Sequence, residues 1–409
     1  MGNVQFLSLE QTVAGRTAGM LQALCTVTLL MLQATTAAGA IGTLGEGIAA
    51  YDRDDHARAF EILDDLALDG NPAALAKAGH MYELGQGTEK NLDEAVRYYR
   101  EGAVRGDANA RVSLGRMYLT GTGVPRNEGE GLRWMRRAAE QEDSAAIFQM
   151  ATVFLDGQGV AKDTQRGMSL LEVAADYGNA DARDRLSGIT FDGGNPTARA
   201  RALAWFEKAA AAGDANAQAQ LGYIYATGQG LRRDPARAHA WYTKAAEQGH
   251  TDAQAMLGYQ FHSGLGTGKN LGQARRWYEK AAAKDQPLAQ TNLGVMYEKG
   301  QGVPPDPGKA RQWYRKAADN GFAPAQNNLG RLLLSGESGV TDEIEAISWF
   351  KSAAEQGLPA AQTSLGYAYR TGDGVEQDYA KALHWYESAA RQGDAQAAAG
   401  VRALKPLVE

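Results

Sequence analysis

Residues Ala217–Gly249 read AQAQLGYIYATGQGLRRDPARAHAWYTKAAEQG, and much of the remaining chain is an edited copy of that stretch. Leu221-Gly222 returns as Leu257-Gly258, Leu293-Gly294, Leu329-Gly330 and Leu365-Gly366, at steps of 36 residues. Trp241 returns at the same step as Trp277, Trp313, Trp349 and Trp385, and all seven tryptophans of the chain share its column. Backwards, the step leads from Gly115 to Gly79 and from Trp134 to Tyr98. A period this long and strict marks supersecondary units that stack on their neighbours, because one such unit cannot bury its apolar face alone. A solenoid grows by adding units, so 409 residues are compatible with one elongated domain.

Within a unit the apolar spacing is helical. Ala217, Leu221, Ile224 and Tyr225 fall at i, i+4, i+7 and i+8, the stripe of a first helix, A. Gly228-Gln229-Gly230 ends it, and Pro235 stands where only the first turn of a new helix accepts proline. Helix B then runs through Ala238, Trp241, Tyr242, Ala245 and Ala246 until Gly249. Helices of about three turns are marginal alone in water, so their stability has to come from packing on the next unit. The column before helix B holds Asp55, Asn91, Asn127, Asp163, Asp234, Asn270, Asp306, Asp342 and Asp378. Asp and Asn are strong N-caps, each worth about 1 kcal/mol, and an Asp or Asn repeated at successive helix starts is a cap rather than a catalytic group. The glycine after leucine costs a helix about 1 kcal/mol relative to alanine. Its expected compensation is a close approach of helix B, with the bulky Trp-Tyr pair above a backbone that lacks Cβ.

The repeats end at Gly106, Glu142, Gly178, Gly213, Gly249, Asp285, Gly321, Gly357 and Gly393, which places nine of them in residues 71–393. Residues 41–70 read as an N-terminal capping unit, with one helix ending at Tyr51 and a second over Ala57–Leu68. Residues 394–409 read as a capping helix from Asp394 to about Leu404, then Pro406 and a tail. Two units depart from the pattern. In the third, Ala151 replaces the glycine and Leu170-Leu171 the aromatic pair; in the fourth, Ser187 and Thr190 stand in the Gly and Tyr columns. Leu170 to Trp205 spans 35 residues where Trp205 to Trp241 spans 36, so one residue is missing from the loop Asp192–Pro196. Ala151–Pro196 therefore reads as a local change of pitch, a weak point, or a site adapted to a partner.

The first 40 residues differ in kind, with Glu10 and Arg16 as their only charges. LQALCTVTLLMLQATTAAGA has an apolar centre and ends in Ala38-Gly39-Ala40, the small-x-small pattern of a secretory cleavage site. Its polar Thr26, Thr28, Gln33, Thr35 and Thr36 make it a poor permanent span, which needs about 20 predominantly apolar residues. Residues 1–40 are thus expected to be a signal peptide cleaved near Ala40, delivering a periplasmic or secreted protein; only if uncleaved would this segment hold the chain at a membrane. The single cysteine, Cys25, would leave with it, and the mature chain would have no disulfide framework. A formal net charge of −6 with interspersed signs gives no reason to expect nucleic acid or anionic lipid as partner.

Ala289–Gly321, AQTNLGVMYEKGQGVPPDPGKARQWYRKAADNG, resembles the Sel1-like repeat, a relative of the tetratricopeptide repeat. That family's pattern is A-x-x-x-L-G-x-x-Y-x-x-G-x-G-V, an Asp or Asn, then K-A-x-x-W-Y-x-K-A-A and a terminal Gly. The resemblance covers Ala57–Gly393 and is most specific in the last five repeats. It implies an all-α fold, a right-handed α/α superhelix (solenoid) with the A helices lining its concave face. Members of the family are typically adaptors or scaffolds, so the resemblance implies a non-enzymatic protein whose groove binds a protein or peptide of the cell envelope. A periplasmic regulator restraining a membrane sensor and a scaffold for exopolysaccharide assembly are variants of that reading. A cell-wall or β-lactam hydrolase, as proposed for cysteine-rich relatives, fits less well, because those relatives staple each repeat with a disulfide.

The residues themselves nominate no catalyst and no cofactor. His56, His80, His239, His250, His262 and His384 include no i, i+4 pair and have no neighbouring Cys, so they lack metal-ligand spacing. The Gly-x-Gly elements at Gly85, Gly121, Gly228 and Gly300 follow a helix and lack a following Gly-Lys-Ser/Thr, which argues against phosphate loops. A binding surface is easier to place. The residue after the column glycine points away from helix B, toward the concave side, and its column reads His80, Arg116, Thr152, Gly188, Tyr223, Tyr259, Val295, Arg331 and Tyr367. One turn earlier stand Lys77, Ser113, Gln149, Arg185, Gln220, Met256, Asn292, Asn328 and Ser364. These columns vary while the core columns repeat. They read as a solvated groove or as a recognition surface, and Tyr and Arg, the types that dominate interface hot spots, favour the second. The candidate binding residues are Tyr223, Tyr259, Tyr367, Arg116, Arg331, Gln220, Asn292 and Asn328, with glycan as a variant occupant for the aromatic positions.

Overall fold

The computed structural model describes residues 42–191, 195–228, 231–339 and 341–408. Among them are 21 α-helices and no strand, the all-α helix-turn-helix solenoid expected from the period. The chain divides into two compact units, the first ending at Leu170 and the second beginning at Leu171. The first contains α1 (Leu44–Asp52), α2 (His56–Leu68), α3 (Pro72–Leu84), α4 (Leu92–Val104), α5 (Ala108–Thr120), α6 (Glu128–Ala139), α7 (Ser144–Asp156) and the start of α8 (Thr164–Asp176). The second holds the rest of α8, then α9 (Ala180–Phe191), α10 (Pro196–Ala211), α11 (Ala215–Thr227), α12 (Pro235–Glu247), α13 (Thr251–Ser263) and α14 (Leu271–Ala282). It continues with α15 (Pro287–Lys299), α16 (Pro307–Asp319), α17 (Ala323–Ser335), α18 (Glu343–Glu355), α19 (Pro359–Thr371), α20 (Tyr379–Arg391) and α21 (Ala395–Val408). The division falls at Leu170, where the aromatic pair of helix B is missing. Within each unit, helices adjacent in the chain pack on one another, and A helices of successive repeats also touch.

Capping sets the ends of these helices. The column expected to cap helix B does so: Asp234 accepts from the Arg237 N–H at 3.0 Å, and Asp306, Asp342 and Asp378 repeat the bond. Asn195 caps α10 in the shortened fourth repeat, accepting from Ala198 N–H, so the missing loop residue leaves the cap intact. A second cap column precedes helix A, with Asn71, Asp107, Asp143 and Asp214 accepting from N–H groups of the first turn. At Gly228, where α11 ends, φ is +75°, a left-handed conformation that glycine adopts without strain. Glu142 and Asp285 end their repeats with φ of +59° and +57°, so two non-glycine residues hold the terminal turn that glycine makes elsewhere. The second glycine of Gly-x-Gly has a packing reason: a Cβ on Gly266 would lie 2.0 Å from the Pro235 carbonyl oxygen of the preceding helix B. One end differs from expectation, since α21 runs through Pro406 to Val408. Proline's fixed φ is helical, and within the last turn it forfeits a single hydrogen bond.

The glycine inside helix A packs as expected, with one refinement. A Cβ on Gly222 would sit 2.6 Å from the Tyr242 ring, and Gly258, Gly294 and Gly366 face Tyr278, Tyr314 and Tyr386 in the same way. The tyrosine, not the preceding tryptophan, meets the bare backbone. Trp241, Trp277 and Trp313 stay half-buried, with Lys244, Lys280 and Lys316 ammonium groups 4.2, 4.0 and 4.7 Å from their ring centroids. A buried glutamine column adds a polar seam that the apolar pattern does not announce. The side-chain amides of Gln218, Gln254, Gln290, Gln326 and Gln362 each donate to the carbonyl eight residues earlier, at the end of the preceding helix B. Gln248, Gln356 and Gln392 close the seam by donating to the side-chain oxygens of Gln218, Gln326 and Gln362 at 2.7, 2.9 and 3.0 Å.

Candidate binding face

Because the Leu-Gly pair of each A helix faces helix B, the next residue turns away from that contact. In α11, α13 and α19 it is a tyrosine, and Tyr223, Tyr259 and Tyr367 are 42%, 43% and 40% exposed. The tyrosines packed on the glycines behave oppositely: Tyr242 and Tyr278 are 2% and 0% exposed. The face therefore presents aromatic rings that the core does not require. The Arg370 guanidinium lies 5.0 Å from the Tyr367 ring centroid.

Arg116 and Arg331 share this column but reach back one repeat. In the first unit, Arg116 Nη2 donates to both carboxylate oxygens of Glu83 at 2.7 and 2.6 Å, and the Tyr99 hydroxyl donates to Glu83 Oε2 at 2.8 Å. In the second unit, Arg331 Nη2 donates to Glu298 Oε1, and the Tyr314 hydroxyl to Glu298 Oε2 at 2.6 Å. Burial pushes the Glu83 carboxyl up, but the bonds from Arg116 and Tyr99 outweigh it and hold the group below its usual range. Both arginines thus pair a buried glutamate across repeats. The pattern was present in the sequence as Glu four residues after the column glycine, with Tyr 16 and Arg 33 residues further on. Sequence reasoning missed it because the glutamates lie outside the columns taken as the surface.

Gln220 and Tyr223 do come together, in a groove of about 460 Å³ within the second unit. Its walls come from α9 to α13, with Arg183, Asp184 and Ser187 contributed by α9, Trp205 and Phe206 by α10, Tyr242 by α12, and Asp252 and Met256 by α13. The Gln220 amide donates to Ser187 Oγ at 2.5 Å. In the fourth repeat Gly188 occupies the Tyr223 column, and a Cβ there would meet nothing within 4 Å. Tyr259, Asn292, Asn328, Arg331 and Tyr367 do not line it, and Arg116 belongs to the first unit. Asn292 turns its amide onto its own helix, donating to the Leu288 carbonyl at 3.0 Å, and Asn328 is half-buried.

The Sel1 repeat profile matches nine consecutive segments: residues 72–107, 108–143, 144–179, 189–214, 215–250, 251–286, 287–322, 323–358 and 359–394. The chain belongs to the Sel1 repeat family. Its fourth Sel1 repeat is matched only from residue 189, past Ser187 in the glycine column. Among solved structures, the chain is similar to c5321, a protective antigen of uropathogenic Escherichia coli that displays an SLR fold. The two are 32% identical, over 88% of this chain and 80% of that one, with a TM-score of 0.56. A Sel1 repeat protein from Oxalobacter formigenes is 28% identical, over 92% of this chain and 99% of that one, with a TM-score of 0.51. No curated protein matches the chain. Sel1 repeat proteins generally mediate protein–protein interactions and are typically non-enzymatic. Among the described residues, no group of three or more His, Cys, Asp or Glu side chains is placed to hold a metal ion, and no helix is long and apolar enough to cross a membrane. The segment 1–40, read as an export signal, lies outside the described residues.

Proposed function

We propose that this Sel1 repeat protein is an exported scaffold of the cell envelope that holds a peptide segment of a protein partner on the A-helix face of its second unit. The observation that carries the reading is the contrast between two tyrosine columns. One is sealed against glycine in the core, while Tyr223, Tyr259 and Tyr367 stand about two-fifths exposed. A tyrosine adds large apolar area and a polar tip with only two side-chain torsions to order, which is why it is enriched where binding energy concentrates. The export reading rests on the Ala38-Gly39-Ala40 site and on a mature chain without cysteine.

The test is capture from an envelope extract by the full mature chain and by its Tyr223→Ala plus Tyr259→Ala double variant, with circular dichroism to verify the fold. Capture by the parent and loss in the variant is the expected result. Undiminished capture by a folded double variant would move the binding surface elsewhere. Export is checked separately, by sequencing the N-terminus of the protein recovered from expressing cells: a start at Ile41 is expected, and an intact Met1 on all recovered protein would remove that part of the reading.

A further inference from the structure

The groove beside Tyr223 has a chemistry of its own. Asp184 on α9 and Asp252 on α13 are both exposed along it, and among the described residues neither has a cationic partner. The hydrogen bond Asp252 accepts is a long one, 3.4 Å from the Gln286 amide. Among the described residues Arg183 is the one arginine or lysine in the wall, and it is already neutralised by Asp214, with Nη2 3.2 Å from Oδ2. The wall therefore retains two carboxylates without counter-charge.

A second, independent feature points the same way. Tyr242 forms part of the groove wall, is 2% exposed, and its hydroxyl has no hydrogen-bond partner. In two other repeats this hydroxyl position belongs to a cluster containing arginine: Tyr99 and Tyr314 each bond a glutamate that also binds Arg116 or Arg331 from the next repeat. In the repeat of Tyr242 the glutamate position is Ala226 and the arginine position is Tyr259, so the chain supplies neither. Trp205, Phe206 and Tyr223 add aromatic surface to the same wall, and a guanidinium or ammonium group gains from lying over such faces. Arg183 Nε is a buried donor without an acceptor, and a peptide carbonyl is the kind of group that would satisfy it.

Resting on the scaffold reading, we infer that this groove takes a cationic side chain, arginine or lysine, from an extended peptide. Asp184 and Asp252 pair with the cation from either side, the Tyr242 hydroxyl accepts one of its N–H groups, and Tyr223 covers its apolar stem. A partner that presents one basic residue here would have its register set by this repeat, while the tyrosines further along the face add area.

The experiment selects phage-displayed random heptapeptides on the full mature chain, then measures the recovered peptides in solution. Recovered peptides are expected to be enriched in arginine or lysine over the unselected library. Replacing that basic residue by glutamine should weaken binding at least about tenfold, as should the Asp184→Asn plus Asp252→Asn variant of the protein, and affinity should fall with added salt. Both aspartates are exposed, so the double variant is expected to keep the parent's circular dichroism. Peptides no richer in basic residues than the library, or ones that bind the double variant as tightly as the parent, overturn the inference. If such peptides nonetheless lose binding on Tyr223→Ala plus Tyr259→Ala, the scaffold reading survives alone. If no peptide is recovered, both readings fall.

Discussion

Tyr278 and Tyr314 occupy the same position in successive repeats and end differently. Each ring closes on a glycine of its own helix A: a Cβ on Gly258 would stand 2.6 Å from Tyr278, and one on Gly294 would stand 2.5 Å from Tyr314. The Tyr314 hydroxyl reaches Glu298, which also binds Arg331 from the following repeat. At Tyr278 the glutamate position is His262, whose Nε2 is 2.7 Å from Gln301 Oε1, and the arginine position is Val295. The Tyr278 hydroxyl is left buried without a partner. Shape is therefore common to the two repeats, whereas polar termination is decided repeat by repeat. The lesson extends to the outer face: the same column supplies a cross-repeat clamp at Arg116 and Arg331 and an exposed ring at Tyr223, Tyr259 and Tyr367.

The largest effect is expected where the repeats agree. Gly258→Leu and Gly294→Leu should each destabilise by about 3 kcal/mol, because a branched side chain is forced into the ring that already fills the space. The two losses should match in urea unfolding; a Gly258→Leu protein as stable as the parent would show that shape is not the shared element. A smaller effect is expected where the repeats differ. Tyr314→Phe removes a donor from a carboxylate and should cost about 1–2 kcal/mol. Tyr278→Phe removes a buried hydroxyl that bonds nothing, and should be neutral or stabilising by up to about 1 kcal/mol. Equal losses for the two substitutions would break the comparison, by showing that the Tyr278 hydroxyl has a partner in solution.

Most of the fold was legible because it repeats. A 36-residue step writes the same Leu-Gly, N-cap and Trp-Tyr columns so often that helix phase, length and partner follow from registration alone. What the period could not show is what differs from one copy to the next. Arg116 and Arg331 stand in a column that varies from copy to copy, and their glutamates lie one turn further along the previous A helix, a pairing visible only once successive repeats are stacked. Gln220 and Tyr223 line one groove, and the period does not announce their neighbour Gly188, which stands bare in the column where Tyr223, Tyr259 and Tyr367 carry rings. A missing side chain in a variable column carries no positive mark in a sequence. The buried glutamines were overlooked for the opposite reason: a polar residue next to alanine on helix A resembles a solvent-facing one, and only the end of the preceding helix B gives it carbonyls to bond.

That glutamine seam supplies the smallest and most selective test. It is closed where the residue before the terminal glycine is Gln248, Gln356 or Gln392. It is open at Gln254 and Gln290, whose side-chain oxygens are buried without a partner, and there the corresponding residues are Lys284 and Asn320. Lys284 turns its ammonium to the Gly249 carbonyl at 2.7 Å, so it already serves another acceptor. Asn320 carries the right amide on a stem one methylene shorter than the glutamines that close the seam. Asn320→Gln should reach the Gln290 oxygen and stabilise by about 0.5–1.5 kcal/mol, the net value of one buried hydrogen bond. Hydrogen exchange resolves so local a gain better than global unfolding, since a solenoid opens unit by unit. Added protection confined to the ends of α14 and α16 and the start of α15 is expected; no change there would mean that the Gln290 oxygen is already satisfied in solution.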